Sequence, residues 1–63
     1  MKRTFIIGGR PKEAPANLKE TPQIGSLVEY NRKLLVVTDV VYYMEAGEIR
    51  IFLNHHESVS ETI

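Results

Sequence analysis

Two adjacent histidines followed by a glutamate, His55-His56-Glu57, form the cluster in this sequence that most resembles a metal-ligand set. A zinc site needs three or four ligands arranged around one ion. The cluster follows a segment that we predict to be a strand, and adjacent strand residues point to opposite faces. His55 and His56 are therefore poorly placed to share an ion, and the sequence has no other histidine. We interpret them as polar residues that end a strand, and we predict no metal site and no cofactor.

Asp39 is a carboxylate inside a long apolar run, Val36 to Val41. A buried carboxylate can act as a general base, but catalysis would also need a partner such as His55 or His56 beside it. The sequence does not indicate that arrangement. We favour an outward position beside Asn54, or a β-bulge that bends the strand. We therefore predict that the protein is not an enzyme, and no small-molecule substrate is evident.

The segment Gly8-Gly9-Arg10 could bring backbone N–H groups and a guanidinium close to a phosphate. The rest of a phosphate-binding loop pattern is absent. Paired glycines followed by Pro11 are typical of the end of a strand. We predict that this segment terminates a strand.

Length and composition favour one small cytoplasmic domain over residues 1–63. A chain this short buries only about 60% of the surface that its unfolded form exposes, so we expect marginal stability. The absence of cysteine excludes disulfides and is typical of a reducing compartment. Near the start, the apolar run Phe5 to Ile7 is shorter than the roughly 7–15 residues of a secretory signal or the roughly 20 of a membrane span. We therefore expect no membrane association.

The segment from Leu34 to Asn54 predicts a β-hairpin, because β-branched and aromatic residues dominate it and its middle, Glu45 to Glu48, contains a glycine suited to a short loop. Placing Met44 opposite Ile49 collects apolar side chains on one face. A slip of one residue would bring charged side chains onto that face. Tyr42→Ala would then cost about 3–5 kcal/mol of stability. The predicted core face consists of Val40, Tyr42, Met44, Ile49, Ile51 and Leu53.

The opposite face of the hairpin carries the candidate site. It pairs Tyr43 with Arg50, a plausible cation–π contact, and Val41 with Phe52. If the first strand or the tail covers Phe52, these residues form the second wall of a barrel, which is the interpretation that we favour. If Phe52 is uncovered, they form an apolar patch rimmed by charge, which marks a partner site. The candidate partner-binding residues are Val41, Tyr43, Arg50 and Phe52.

The remaining segments flank the hairpin. Lys2 to Ile7 reads as a first strand, with Phe5 on one face and Ile6 on the other. Residues 11–23, which include three prolines, predict a long loop. In residues 57–63, two apolar side chains, Val59 and Ile63, lie on the same face of a strand period, which predicts either a short closing strand or a frayed tail.

A second strand is predicted from Ile24 to Tyr30, followed by a three-residue turn, Asn31-Arg32-Lys33. This turn places Tyr30 opposite Leu34 and extends the core face through Val28. A two-residue turn would set Glu29 against Leu34, and we consider it less consistent.

The strand from Ile24 to Tyr30, its turn, and Leu34 to Val41 together resemble the opening of a Src-homology-3-like (SH3-like) small barrel. In such barrels a glycine, here Gly25, often precedes a strand of the form x-Val-x-Tyr, here Val28 and Tyr30. The resemblance covers residues 24–54. It implies an all-β fold, either a small SH3-like barrel or a strongly bent antiparallel meander of four to five strands.

The same resemblance limits the functions to be expected. Members that bind proline-rich peptides use a tryptophan and an aromatic-rich loop, and this chain has no tryptophan and no aromatic residue in residues 11–23. Small barrels of this kind also occur among ribosomal, RNA-binding and phage proteins, and fold alone does not choose among these roles. By analogy we expect a phage-type or accessory bacterial protein.

We predict a small non-enzymatic binding or adaptor module that acts through contacts with another protein or through self-association. The alternative is an RNA- or DNA-binding small barrel. Nucleic-acid binders usually carry a basic excess, whereas this chain has eight basic and eight acidic residues, so protein partners are favoured. The residues that would serve the alternative are Arg10, Arg32, Lys33 and Tyr30.

Overall fold

The computed structural model describes residues 1–56, and all of the regular structure in that range is β-strand. Within it, no helix is long and apolar enough to cross a membrane. The predicted tail or closing strand at residues 57–63 lies outside the described residues. The strands are β1 (Lys2–Ile7), β2 (Arg10–Glu13), β3 (Leu27–Tyr30), β4 (Lys33–Tyr43) and β5 (Glu48–His55).

The five strands form one curled sheet, a half-barrel, in the order β2-β1-β5-β4-β3. The predicted all-β class is confirmed. The sheet is mixed, because β1 and β5 run parallel whereas the other neighbours are antiparallel. A meander contains only antiparallel neighbours, so the β1–β5 pair is a feature that the sequence did not indicate. It places β1 beside β5 within the same layer.

The turn between β1 and β2 consists of Gly8 and Gly9, which both have positive φ angles, 59° and 81°. Two-residue hairpin turns of this hand match the twist of the strands that they join. The sequence analysis predicted that the chain leaves the sheet at Pro11. Instead the chain turns back and forms the edge strand β2. Proline is compatible with an edge strand because its missing N–H can face solvent. The long loop accordingly begins three residues later than predicted and covers residues 14–26.

The turn between β3 and β4 also has two residues, Asn31 and Arg32, with φ angles of 55° and 66°. Glu29 lies opposite Leu34, and Tyr30 lies opposite Lys33. The predicted three-residue turn is wrong, and the register that was considered less consistent is the observed one. The reason is the backbone of two successive left-handed residues, which closes the hairpin one residue earlier.

In the long hairpin, Tyr42 lies opposite Ile49 and Val40 lies opposite Ile51, a register shifted by two residues from the predicted one. The shift is even, so Tyr42 and Val40 keep the predicted face. However, Tyr42 is 55% exposed and Met44 is 70% exposed, so neither belongs to the core. Both lie at the tip of the hairpin, beyond the end of β3, where no described strand packs over them.

A β-bulge at Thr38 interrupts β4, because Val37 pairs with Leu53 while Asp39 pairs with the preceding residue, Phe52. The hydroxyl of Thr38 donates a hydrogen bond to the carbonyl of Phe52 at 3.2 Å. One extra residue reverses the inside–outside alternation, so Leu35 and Val37 are buried on the face that Val40 occupies beyond the bulge. The sequence analysis considered a bulge at Asp39, and the structure has the bulge at the preceding residue, Thr38.

The core lies on the inner face of the curl. The guanidinium of Arg3 donates hydrogen bonds to the carbonyls of Leu18, at 2.7 Å, and Lys19, at 3.3 Å, and so holds the 14–26 loop against this face. The ring of Tyr30 meets that of Phe5 edge-on, with centroids 5.5 Å apart. The buried residues are Phe5, Leu35, Val37, Ile49, Ile51 and Leu53.

Candidate functional site

The outer face of the sheet, opposite the core, carries side chains from four strands in rows that cross the strands. Cross-strand partners share a face of a sheet, so the registers define these rows. The first row is Pro11, Ile6, Phe52 and Asp39, and the second is Glu13, Thr4, Arg50 and Val41.

No element within residues 1–56 lies over this face. Strand β1, the predicted cover of Phe52, lies beside β5 in the same sheet, with Ile6 as the direct neighbour of Phe52. Val41 and Tyr43 are each 37% exposed. The tail, which was the other predicted cover, lies outside the described residues. In the described part of the chain these side chains are thus a patch and not an inner wall.

A chain of polar contacts fixes Arg50 in the middle of the outer face. The hydroxyl of Thr4 donates a hydrogen bond to Glu48 Oε2 at 2.7 Å, and Arg50 Nε lies 3.3 Å from Glu48 Oε1. The guanidinium carbon of Arg50 lies 4.5 Å from the centroid of the Tyr43 ring. The cation–π contact expected from the sequence is therefore present, although it is diagonal because Arg50 lies directly opposite Val41.

Thr4, Glu48 and Arg50 border a shallow groove of about 410 Å³. Ile6, Phe52 and Pro11 supply apolar surface, and Thr4, Glu48 and Arg50 supply a polar side. Such a groove can accept an apolar side chain of a partner, while the guanidinium offers N–H donors to a carbonyl or carboxylate beside it. Sequence analysis found Arg50 and Phe52 but missed Ile6 and Pro11, which reach the groove only through the parallel β1–β5 pair and the β1–β2 hairpin.

The environment of Glu48 lowers the pKa of its carboxyl below the ordinary value of 4.5. The main cause is the hydrogen bond from Thr4, and the positive charge of Arg50 acts in the same direction, whereas partial loss of solvent opposes both. A carboxyl with a lowered pKa in the folded state stabilises the protein above its unfolded pKa. This contribution is lost as the pH falls through the folded value.

Thr4→Val is expected to raise the pKa of Glu48 towards its ordinary value, because valine keeps the shape of threonine but cannot donate the hydrogen bond. The contribution of Glu48 to stability at neutral pH should then be smaller in the variant, and its loss on acidification should be complete at a higher pH. The measurement is an NMR titration of the Glu48 side-chain carboxyl carbon in both proteins. An unchanged titration midpoint would show that the Thr4 hydroxyl does not control this carboxylate.

Within residues 1–56, Asp39 and His55, which were considered for catalysis, lie on opposite faces of the sheet. Asp39 is exposed on the outer face opposite Phe52. His55 pairs with the buried Leu35 and therefore lies on the other face of the sheet. Among residues 1–56, no three side chains of the types that bind metals are close enough to hold an ion. Gly8 and Gly9 form a hairpin turn, and Gly9 borders the groove.

The residues of the nucleic-acid alternative lie at one end of the half-barrel. Tyr30 and Lys33 are cross-strand partners, and both border a second pocket of about 180 Å³ together with Lys12 and His55. The ring of Tyr30 packs against Phe5, and its hydroxyl donates to the carbonyl of Glu13 at 3.4 Å. The Tyr30 ring thus packs against the core and stabilises the fold. Arg10 lies in the edge strand β2, and Arg32 lies in the tight turn before β4.

No protein-family model, no curated protein and no solved structure matches this chain. Its function is therefore inferred from the geometry of its own surface.

Proposed function

We propose that this chain is a small non-enzymatic binding module that binds another protein through the outer face of its sheet. The observation that carries the proposal is the row of exposed Pro11 and half-buried Ile6 and Phe52, over which no element of residues 1–56 lies. Beside this row, Arg50 contacts both Glu48 and the Tyr43 ring. Protein interfaces are rich in aromatic residues and arginine at their centres, with a polar rim around them.

The fixing of Arg50 supports this role on energetic grounds. Ordering a long side chain on binding costs about 0.5–1.5 kcal/mol, and this cost is reduced when the side chain is ordered beforehand. Arg50 is ordered by Glu48 on one side and by the Tyr43 ring on the other. A partner that places a carbonyl or carboxylate beside the groove would therefore gain hydrogen bonds without the full ordering cost.

The proposal also includes a distant likeness to SH3-like barrels. The supporting observations are the curled five-stranded sheet and the Gly25 to Tyr30 pattern. Such barrels serve as adaptor modules in several settings, and a phage-type or accessory bacterial role follows by that analogy alone.

The test is affinity capture from an extract of the native host with three immobilised proteins: the unaltered chain, Phe52→Ser and Arg50→Ala. We expect the bound partner to be reduced about tenfold or more with each variant, because truncating a central anchor of an interface commonly costs 2 kcal/mol or more. Circular dichroism of each variant shows whether it is folded.

Ile24→Ser is the matched control, because Ile24 is an exposed apolar residue that lies by Val40 and Tyr42, away from the outer face. It should retain the partner fully. Equal capture by folded Phe52→Ser and the unaltered chain would contradict the proposal. If nuclease treatment released the bound material, the RNA- or DNA-binding alternative through Lys33 and its neighbours would replace it.

A further inference from the structure

Strand β4 has an open edge over half of its length. It contains 11 residues, but β3 pairs only with Lys33 to Val36. Two further backbone hydrogen bonds join Val37 to the chain before β3, at 2.9 Å to Ser26 and 2.8 Å to Gly25. From Thr38 to Tyr43, no residue within 1–56 provides a backbone partner on the side of β4 that faces away from β5.

The two edges of the sheet differ in a way that predicts association at β4. Proteins protect edge strands with prolines and charges, since an open edge is a template for another strand. The β2 edge has both features, in Arg10, Pro11 and Lys12. The open part of β4 is Thr-Asp-Val-Val-Tyr-Tyr, which has one charge and otherwise residues that favour strands. The bulge at Thr38 bends this segment at the point where pairing with β3 has ended.

We propose that a second copy of this chain pairs with this edge, antiparallel, over Asp39 to Tyr43, with the two-fold axis at Val41. In this register Val41 faces its own copy, Val40 faces Tyr42 of the second copy, and Asp39 faces Tyr43 of the second copy. The pairing covers side chains that are exposed in the single chain, including Tyr42 and Tyr43. It makes one continuous sheet from two five-stranded halves.

Charge and symmetry favour a second copy as the occupant. Tyr43 carries Arg50 over its ring, so Asp39 of one copy comes near Arg50 of the other on the outer face. The two Asp39 carboxylates stay about 13 Å apart along the strands, because four residues separate them at about 3.3 Å each. A two-fold pairing is closed, and the protected β2 edges do not extend it into a fibre.

The experiment measures solution mass by sedimentation equilibrium over a range of concentrations of the full chain. We expect the unaltered protein to associate to twice its 7.2 kDa mass. Val41→Lys and Val41→Glu should each weaken association by about tenfold or more, because like charges directly opposite each other in a sheet repel. An equal mixture of the two variants should restore it, because lysine then faces glutamate across the axis.

Leu27→Lys is the matched control, since Leu27 is an exposed apolar residue of β3 and lies outside the open segment. It should leave the dimer intact, and circular dichroism should show every variant folded. A monomeric unaltered chain would overturn the pairing, as would a dimer that persists in Val41→Lys. A mixture that stays monomeric, or dissociation by Leu27→Lys, would overturn it as well.

This inference rests on the proposed function in that self-association is one form of protein binding, but it uses the edge and not the groove. Phe52→Ser leaves the β4 edge unchanged and should stay dimeric while it loses the captured partner. A monomeric unaltered chain with a partner lost in Phe52→Ser would overturn the pairing alone.

Discussion

Replacing Phe5 by alanine is expected to cost about 3–5 kcal/mol of unfolding free energy, the usual range for removing a buried aromatic ring. Phe5 has no exposed surface, and it lies in β1 between Lys12 of β2 and Ile51 of β5. Its ring also supports that of Tyr30, which ties β3 to this side of the half-barrel. At about 0.05–0.15 kcal/mol per residue, the whole domain is stable by only roughly 3–9 kcal/mol. The variant should therefore lose a large part or all of this stability.

Urea unfolding followed by circular dichroism measures this effect, with Tyr42→Ala as the matched control. Tyr42 is also an aromatic strand residue, but it is exposed in the single chain, so at concentrations where the chain is monomeric its truncation should cost about 1 kcal/mol or less. The sequence pattern alone places Tyr42 in the core and predicts a cost of about 3–5 kcal/mol for this control. A larger loss for Tyr42→Ala than for Phe5→Ala would contradict the observed core.

The local sequence pattern was sufficient to predict those strands whose bounds and faces depend only on neighbouring residues. The bounds of β1 were predicted as observed, because alternation and the following glycines mark both ends. Ile49, Ile51 and Leu53 were placed on the core face and are buried there. A strand without irregularities keeps its period of two, and β5 is such a strand.

The predictions that were wrong depend on features without a local signal. The bulge at Thr38 adds one residue, and composition does not distinguish a bulged residue from a paired one. The pairing of β1 with β5 joins segments about 46 positions apart, and the residues of neither segment indicate which strand it pairs with. The sequence analysis assumed an uninterrupted alternation along β4. It therefore placed Leu34 on the core face and Leu35 on the outer face, whereas the structure has the reverse.

The candidate site divides in the same way. Val41, Tyr43, Arg50 and Phe52 lie on one face as predicted, because that relation needs only the period of the hairpin strands. The groove beside them also needs Ile6 and Pro11. These residues come from the other end of the chain, so the groove could not be predicted without the tertiary pairing.

Leu35→Ala is expected to cost about 2–5 kcal/mol, whereas Leu34→Ala should cost less than about 1 kcal/mol. The two residues are adjacent and identical in type, but Leu35 is 1% exposed and Leu34 is 44% exposed. The uninterrupted alternation of the sequence places Leu34 on the core face, opposite Tyr30. In the structure Leu34 pairs with Glu29 on the outer face, and Leu35 pairs with Val28 above the core.

Urea unfolding of the two variants under one set of conditions decides between the arrangements, because side-chain chemistry and helix or strand propensity cancel in the comparison. A greater loss for Leu35→Ala supports both the two-residue turn at Asn31-Arg32 and the bulge at Thr38, since Leu35 faces the core only when it lies on the same side as Val40 across the bulge. A greater loss for Leu34→Ala would mean that β4 alternates without a bulge. Leu35 and Val37 would then lie on the outer face, while Val41 and Tyr43 would keep their face relative to Arg50.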